Sequence, residues 1–331
     1  MKAMLLRAHG GPENLHLEDV AAPVPQAGEV LIRIHAASVN PIDLKIRAGL
    51  PVGPQLPCVL GCDFSGVVEQ VGEGTGSFRV GDEVYGCAGG VRGLGGTLAE
   101  FMVCDPALLA LKPRSLSHRE AAALPLVAIT AWQLIDRPDV KAGENVLVYG
   151  AAGGVGHIAV QMAKARRARV SAVVSNQEKA RLVKNLGADD VILYVEETPQ
   201  AYVQRLTHGR GFDVVIDTVG GTNLDKAFQV AAIKGRVAAS AARSTHDLSP
   251  LHAKALSLHA IFMLLPMLTG EGRSEHGQVL KEVAALCEAG QLRPILHDIR
   301  FNLAQSAQAQ ALMEAGGVTG KIVVDVATQP S

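Results

Sequence analysis

The sequence predicts an α/β chain of two domains, an all-β barrel or sandwich followed by a parallel sheet with crossover helices. Its 331 residues suffice for two cores at about 150 residues per domain. Short alternating or apolar runs broken by Gly and Pro fill the N-terminal part. Apolar β-rich strings then alternate with helix-period strings in the part that begins near Ala121.

In chain order, Val30–Ile34, Gly66–Val71, Glu83–Tyr85 and Ala99–Val103 read as strands. Pro23-Val24-Pro25, Pro51–Pro54 and Gly72–Gly74 separate them as loops. Asn145–Tyr149 is a buried-strand string, after which Val155, Ile158, Ala159, Met162 and Ala163 recur at helical spacing. Val170–Val174 leads into the helical Glu178–Leu186, with Gly187 as its C-cap. Phe212–Asp217 and Arg236–Ala239 are further strands. Val279–Cys287 is an amphipathic helix stopped near Gly290, and Gly320–Val326 returns to a β pattern. Repeated β-α alternation calls for a parallel sheet.

Composition narrows the function classes. Lys+Arg 31 against Asp+Glu 32 leaves no cationic excess for a nucleic acid. The richest apolar run, Ala260–Leu268, is interrupted by Pro266 and too short for a membrane span. Five cysteines are too few and odd in number for a disulfide framework. Lys2 and Arg7 break the apolar core that a signal peptide needs, so a cytoplasmic protein is expected. The 35 glycines are scattered among apolar runs, which reads as tight turns and close backbone approaches. The histidines, His35, His157 and His259 among them, show no paired metal spacing.

The strongest local signal is Val148–Gly156, between a strand and a helix. Ala152, Gly153, Gly154, Val155 and Gly156 would bring free helix N–H groups to a pyrophosphate. Ala151 stands where the first glycine of G-x-G-x-x-G would fall, and an ordinary tight β-α turn carries the same glycines. The preceding strand, the helical period and the second strand favour a dinucleotide site. That second strand ends in Val174-Ser175-Asn176-Gln177-Glu178-Lys179, with no acid at its tip for a ribose 2′-hydroxyl. Ser175 and Lys179 suit a 2′-phosphate, although Lys179 also reads as a solvated helix residue. NADP(H) is the expected cofactor. Lys164, Arg166, Arg167 and Arg169 read as cations at a helix C-terminus.

An ordered series of motifs runs through the chain: Ala37–Gly49, Pro57–Gly66, Val80–Tyr85, Gly96–Phe101, Ala121–Pro125, Thr130–Trp132, the phosphate loop and Gly320–Val324. It resembles the zinc-independent quinone oxidoreductases of the medium-chain dehydrogenase/reductase superfamily. The resemblance implies a GroES-like β-barrel catalytic domain from 1–124 and 296–331, with a Rossmann NADP(H)-binding domain at 125–295 inserted. It also implies a homodimer. Zinc alcohol dehydrogenases of the superfamily carry Cys where this chain has Asn40, and Gly-His-Glu where it has Gly61-Cys62-Asp63. Cys62 and Asp63 are acceptable zinc donors, but the set lacks a third. The structural zinc lobe is replaced by Gly89–Gly96, so no metal is expected.

The Asn-Pro-x-Asp-x-Lys pattern looks like the branch that includes enone and alkenal reductases. The resemblance implies hydride transfer to a quinone or an α,β-unsaturated carbonyl. Lys45 is the candidate electrostatic donor to the acceptor oxygen, with Asn40 as a neutral donor. Asp43 would orient Lys45 or hold the nicotinamide ribose; a structural Asp43–Lys45 ion pair is the alternative. Tyr194 matches a tyrosine that lines the 2′-phosphate in family members. Thr130 is expected near the nicotinamide. Thr218, Val219, Ser240 and Ala241 follow strands where ligands collect, while Phe262, Leu264 and Lys321 lie in segments that wrap the cofactor in similar proteins. An NADPH-binding module with incidental catalysis, as in the family's crystallins, and a zinc-dependent alcohol dehydrogenase stand as alternatives.

Overall fold

In a computed structural model, residues 1–76 and 78–327 are described; the end of the expected catalytic domain, 328–331, lies outside them. The chain divides into two compact units, Met1–Leu126 with Leu264–Ser331, and Val127–Met263.

The first unit begins with the strands β1 (Lys2–Leu6), β2 (Leu15–Asp19) and β3 (Val30–Ser38), followed by the helix α1 (Pro41–Arg47). Strands β4 (Cys58–Val59), β5 (Asp63–Val71), β6 (Glu83–Cys87), β7 (Phe101–Cys104) and β8 (Leu109–Leu111) come next, then α2 (His118–Ala122). A helix α3 (Pro125–Asp136) contains the border between the units. β3 is buried along most of its length and pairs antiparallel with β5. Two register irregularities, at Leu31/Ile32 and Ile34/Ala36, bend this central pair as bulges do.

The second unit holds β9 (Asn145–Tyr149), α4 (Gly154–Ala165), β10 (Arg169–Val174), α5 (Gln177–Asn185) and β11 (Asp190–Leu193). It continues with α6 (Pro199–Thr207), β12 (Phe212–Asp217), α7 (Thr222–Val230), β13 (Ala231–Ala239), α8 (Ser249–Ala253) and β14 (Ser257–Ala260). The six strands lie in the order β11-β10-β9-β12-β13-β14 and every pairing is parallel. β9 is buried from Val146 to Tyr149, as a central strand covered on both faces must be. Phe212 and Phe228 fill the core beside Tyr202, each worth about 2–3 kcal/mol of burial. The Tyr149 and Tyr202 hydroxyls meet at 2.6 Å, which satisfies two polar groups inside that apolar layer.

The chain then returns to the first unit with α9 (Leu265–Thr269), α10 (Arg273–Glu288), β15 (Phe301–Asn302), α11 (Ser306–Ala315) and β16 (Val323–Asp325). This return comes at Leu264, earlier than the expected 296, because α10 packs on the first unit. Tyr85 donates its hydroxyl to the Leu280 carbonyl at 2.5 Å. Gly277 lets α10 approach so closely that a Cβ there would lie 2.6 Å from the Ala107 carbonyl oxygen. β16 completes the sheet by pairing antiparallel with β3, Val323 opposite Ser38. The buried Arg47 ties α1 to α11 through Gln310 and Glu314, at 3.0 and 2.8 Å.

Sequence patterning placed the core strands and missed others. β1 and β2 lack a sustained alternation, and α1 is too short for a visible period. The amphipathic stretch expected at Val279–Cys287 is longer, Arg273–Glu288.

Candidate active site

In the second unit the strand order reverses about β9, so the crossovers leave β10 and β12 on opposite sides of it. Ligands collect beyond the C-terminal strand ends at such a point. The loop between β9 and α4 lies there. Gly150 adopts φ +66°, and Gly153 is the extended N-cap of α4. A Cβ on Gly156 would sit 2.1 Å from the Gly150 carbonyl oxygen, so only glycine permits this close helix-to-strand packing. Among the described residues the amides of Ala152, Gly154, Val155 and Gly156 donate to nothing, whereas those of Gly153 and His157 bond to Gly150 and Gly153. Four converging free donors at a helix N-terminus fit a pyrophosphate.

The neighbouring strand ends complete the cradle. Val174 pairs with Leu193, so Ser175 and Tyr194 follow side by side. Asn176 caps α5 by accepting from the Lys179 amide at 2.9 Å, which sets Lys179 in the first turn. The side chains of Ser175, Lys179 and Tyr194 bond to nothing among the described residues, and Tyr194 is 59% exposed. Two hydroxyls and an ammonium suit a phosphate and leave no carboxylate at the strand end.

Thr218 and Val219 follow β12, and Ser240 and Ala241 follow β13. Thr218 donates to the Tyr149 carbonyl at 2.8 Å, and Ser240 donates its amide to the Asp217 carbonyl at 3.1 Å. Asp217, which sequence reasoning counted only as strand, holds this turn. Its Oδ1 accepts from the amides of Val219 and Gly220 and from Asn223 Nδ2. The readable signal was an Asp at a strand end ahead of Gly220-Gly221, the pattern of an Asx turn. Thr130 is buried in α3, and Phe262 is half exposed.

The catalytic candidates lie in the first unit. Asn40 caps α1, and its amide N–H donates to Asp43 Oδ2 at 2.8 Å in a capping box. Asn40 Nδ2 donates to Asp63 Oδ2 at 2.9 Å. Lys321 donates Nζ to Asn40 Oδ1 and, at 3.2 Å, to the Val39 carbonyl, and lies 3.5 Å from Asp63 Oδ2. Ser38 and the Leu126 amide also donate to Asp63. Cys62 donates its thiol to Asp43 Oδ1 at 3.3 Å. Asn40, Asp43, Asp63 and Lys321 are all buried. Burial pushes the Asp43 carboxyl up to about 7, the Asp63 charge acting the same way against the Asn40 N–H and Lys321. The hydrogen bond with Cys87 and then burial hold the Cys62 thiol well above its ordinary value.

Two expectations change here. Lys45 is exposed on α1 and makes no ion pair with Asp43 among the described residues; the capping box and Cys62 engage that carboxylate instead. Lys321, expected among the cofactor-wrapping residues, is enclosed with Asn40 and Asp63, and its neighbour in that expectation, Leu264, is buried where α9 begins. The hub of the cluster is Asp63, whose role was legible only as a doubtful metal donor.

Residues 26–114 match the family described as alcohol dehydrogenase GroES-like domain, and residues 154–285 match zinc-binding dehydrogenase. Quinone oxidoreductase of Sus scrofa is 32% identical over 98% of this chain and 97% of its own. The chain belongs to the quinone oxidoreductase family of medium-chain dehydrogenases/reductases. This makes it an NAD(P)H-dependent oxidoreductase with a GroES-like domain and a Rossmann domain. An alcohol dehydrogenase superfamily protein from Novosphingobium aromaticivorans is similar in structure at TM-score 0.94 and 41% identity, over 99% of this chain and 100% of that one. A mycobacterial protein solved complexed with NADPH is similar at TM-score 0.87 and 32% identity, over 98% and 100%.

In this quinone oxidoreductase family member the side chains at the zinc-donor positions are engaged within the cluster. Asp63 is occupied by Ser38, Asn40, the Leu126 amide and a lysine, and Cys62 keeps its proton toward Asp43. Among the described residues no group of three His, Cys, Asp or Glu side chains is placed to hold a metal. No helix of the described residues is long and apolar enough to cross a membrane.

Proposed function

We propose that this oxidoreductase reduces quinones or α,β-unsaturated carbonyls with NADPH and does so without zinc. The buried cluster around Asp63 carries the reading, because Asn40, Cys62 and Asp63, which stand where the zinc enzymes carry metal donors, are engaged by Asp43, Lys321 and one another. The preference for NADPH is supported by Ser175, Lys179 and Tyr194 at strand ends free of acid. A relative solved complexed with NADPH supports the same choice.

Bound NADPH supplies the hydride. The chain's own contribution begins with the amides of Ala152, Gly154, Val155 and Gly156, which bind the pyrophosphate. Lys45, exposed and without an ion pair among the described residues, has its ammonium available to an acceptor oxygen. Asn40 acts as a positioning residue, since its amide is engaged on both sides. Burial raises the Asp43 carboxyl to about 7, and its Oδ1 accepts from the Cys62 thiol. Five free, buried cysteines suit a reducing compartment, and a cytoplasmic location is part of the reading. So is a homodimer through the second unit, where β14 is an edge strand and Leu258 and Phe262 are exposed.

The deciding experiment follows NADPH and NADH consumption with a panel of quinones, enones and enals, with metal content measured on the same sample. Turnover with NADPH in metal-free protein is expected. Tight NADPH binding with no turnover on any acceptor would replace the reading with a binding module. Stoichiometric zinc with chelator-sensitive alcohol oxidation would replace it with a zinc enzyme.

A further inference from the structure

We propose that Asp225, Ser244 and His246 form a nucleophilic triad that accepts the acyl group of small activated esters, an activity separate from the nicotinamide chemistry. Asp225 lies in α7, and Ser244 and His246 lie in the segment after β13. His246 Nδ1 is 2.9 Å from Asp225 Oδ1, and its Nε2 is 2.5 Å from Ser244 Oγ. An ionised carboxylate only accepts, so Nδ1 carries the proton in the neutral ring. Nε2 is then left with its lone pair, and the Ser244 hydroxyl donates to it. The order of donation is therefore nucleophile to base to orienting acid, on the nitrogens that a serine hydrolase uses.

The surroundings suit that chemistry. The His246 ring stands edge-on to Phe228, with centroids 6.4 Å apart and planes at 84°, and its side chain is 7% exposed. Ser244 itself is exposed. Among the described residues the amides of Arg243, Ser244 and Thr245 donate to nothing and the Arg243 guanidinium makes no ion pair. They are donors near the nucleophile for a developing oxyanion. A second array provides an internal contrast. Ser65 Oγ is 2.8 Å from His118 Nδ1, and His118 Nε2 is 3.2 Å from Glu83 Oε1. Ser65 is fully buried, however, and its hydroxyl also points at the Val84 carbonyl, so no ester can reach it.

In the acylation step a bond forms between Ser244 Oγ and the ester carbonyl carbon while the hydroxyl proton passes to His246 Nε2. The carbon–oxygen bond to the leaving alcohol breaks, and that proton goes to the alcohol. Water then adds to the acyl carbon, gives its proton to His246, and releases the carboxylic acid as Ser244 regains its hydrogen.

The test uses the full chain without nicotinamide, p-nitrophenyl acetate as substrate and a fluorophosphonate as covalent probe, with peptide mapping of the label. Hydrolysis and labelling at Ser244 are expected. S244A should abolish the label and lower hydrolysis by roughly 100-fold, while NADPH oxidation and thermal unfolding stay unchanged. D225N should lower labelling by favouring the wrong tautomer. S244C should be acylated in its place, and acylation should vanish in S244C/H246Q. Equal hydrolysis by S244A and the parent protein would overturn the proposal, as would a label on Ser65 or on lysines alone.

Discussion

Lys321 Nζ lies 3.5 Å from Asp63 Oδ2 with both side chains buried. The two residues come from opposite ends of the chain, one after α11 and one opening β5, so their contact joins the returning segment to the N-terminal sheet. Removing one partner strands the other charge in a low-dielectric interior. K321M should therefore lower stability by about 3–5 kcal/mol, read as the shift of a urea unfolding midpoint. D63N/K321M should lose less than the two single changes summed. Strict additivity would show that the pair does not interact.

Asp43 and His118 give the first unit two opposed pH dependences. Burial raises Asp43 from 3.8 to about 7, so between those values the folded state holds a proton that the unfolded state has released. Its contribution to stability is full below about 4 and is lost as pH rises through 7. Burial first, then His35, lowers His118 from 6.5 to about 4. There the unfolded state holds the extra proton, and stability is lost as pH falls from 6.5 through 4. Relative to the parent protein, D43N should gain stability with rising pH, by up to about 1.4 kcal/mol per pH unit. H118Q should lose it with rising pH over 4 to 6.5. Chemical denaturation of the three proteins across that range checks both slopes; parallel curves would refute them.

The nucleotide loop separates steric from ligand effects. A Cβ on Gly156 would meet the Gly150 carbonyl oxygen at 2.1 Å, whereas one on Gly153 would stand 3.2 Å from the same atom. G156A must displace backbone, so it should lower both the thermal midpoint and NADPH affinity. G153A asks its neighbour to give only slightly. It should unfold close to the parent protein yet bind NADPH at least about tenfold more weakly if a pyrophosphate approaches that face. Fluorescence titration with NADPH supplies the reading, and unaltered binding by G153A would place the phosphates elsewhere.

Legibility in the sequence tracked locality. The strand, glycine loop and helix from Asn145 to Ala165 were readable because each constraint acts within a few residues: burial on β9, close approach at Gly156 and free amides at one helix end. The nearness of Ser175 to Tyr194, each one residue past the paired Val174 and Leu193, was reachable only through resemblance, since it depends on the register of β10 against β11. The buried polar cluster was the least legible. Asn40, Asp63 and Lys321 meet through β3, β5 and the strand that returns beside them, and no spacing announces that meeting. Lys45 stood out by motif, yet its helix turns it away from the cluster that the same motif builds. The return of the chain at Leu264 was hidden because α10 has the same amphipathic texture whichever sheet it covers.

Cofactor choice should follow the strand ends. Ser175 and Tyr194 extend paired neighbours, and the Lys179 ammonium has no partner among the described residues. A carboxylate placed at Ser175 would accept from a ribose 2′-hydroxyl and repel a 2′-phosphate. S175D should thus weaken NADPH by roughly 100-fold, or about 2.7 kcal/mol, and strengthen NADH. K179M should weaken NADPH alone, with a smaller salt dependence of binding because one screened attraction is gone. Dissociation constants for both nucleotides at low and high salt decide the matter. If S175D leaves the ratio between NADPH and NADH unchanged, the 2′-position of the ribose is not read by these strand ends.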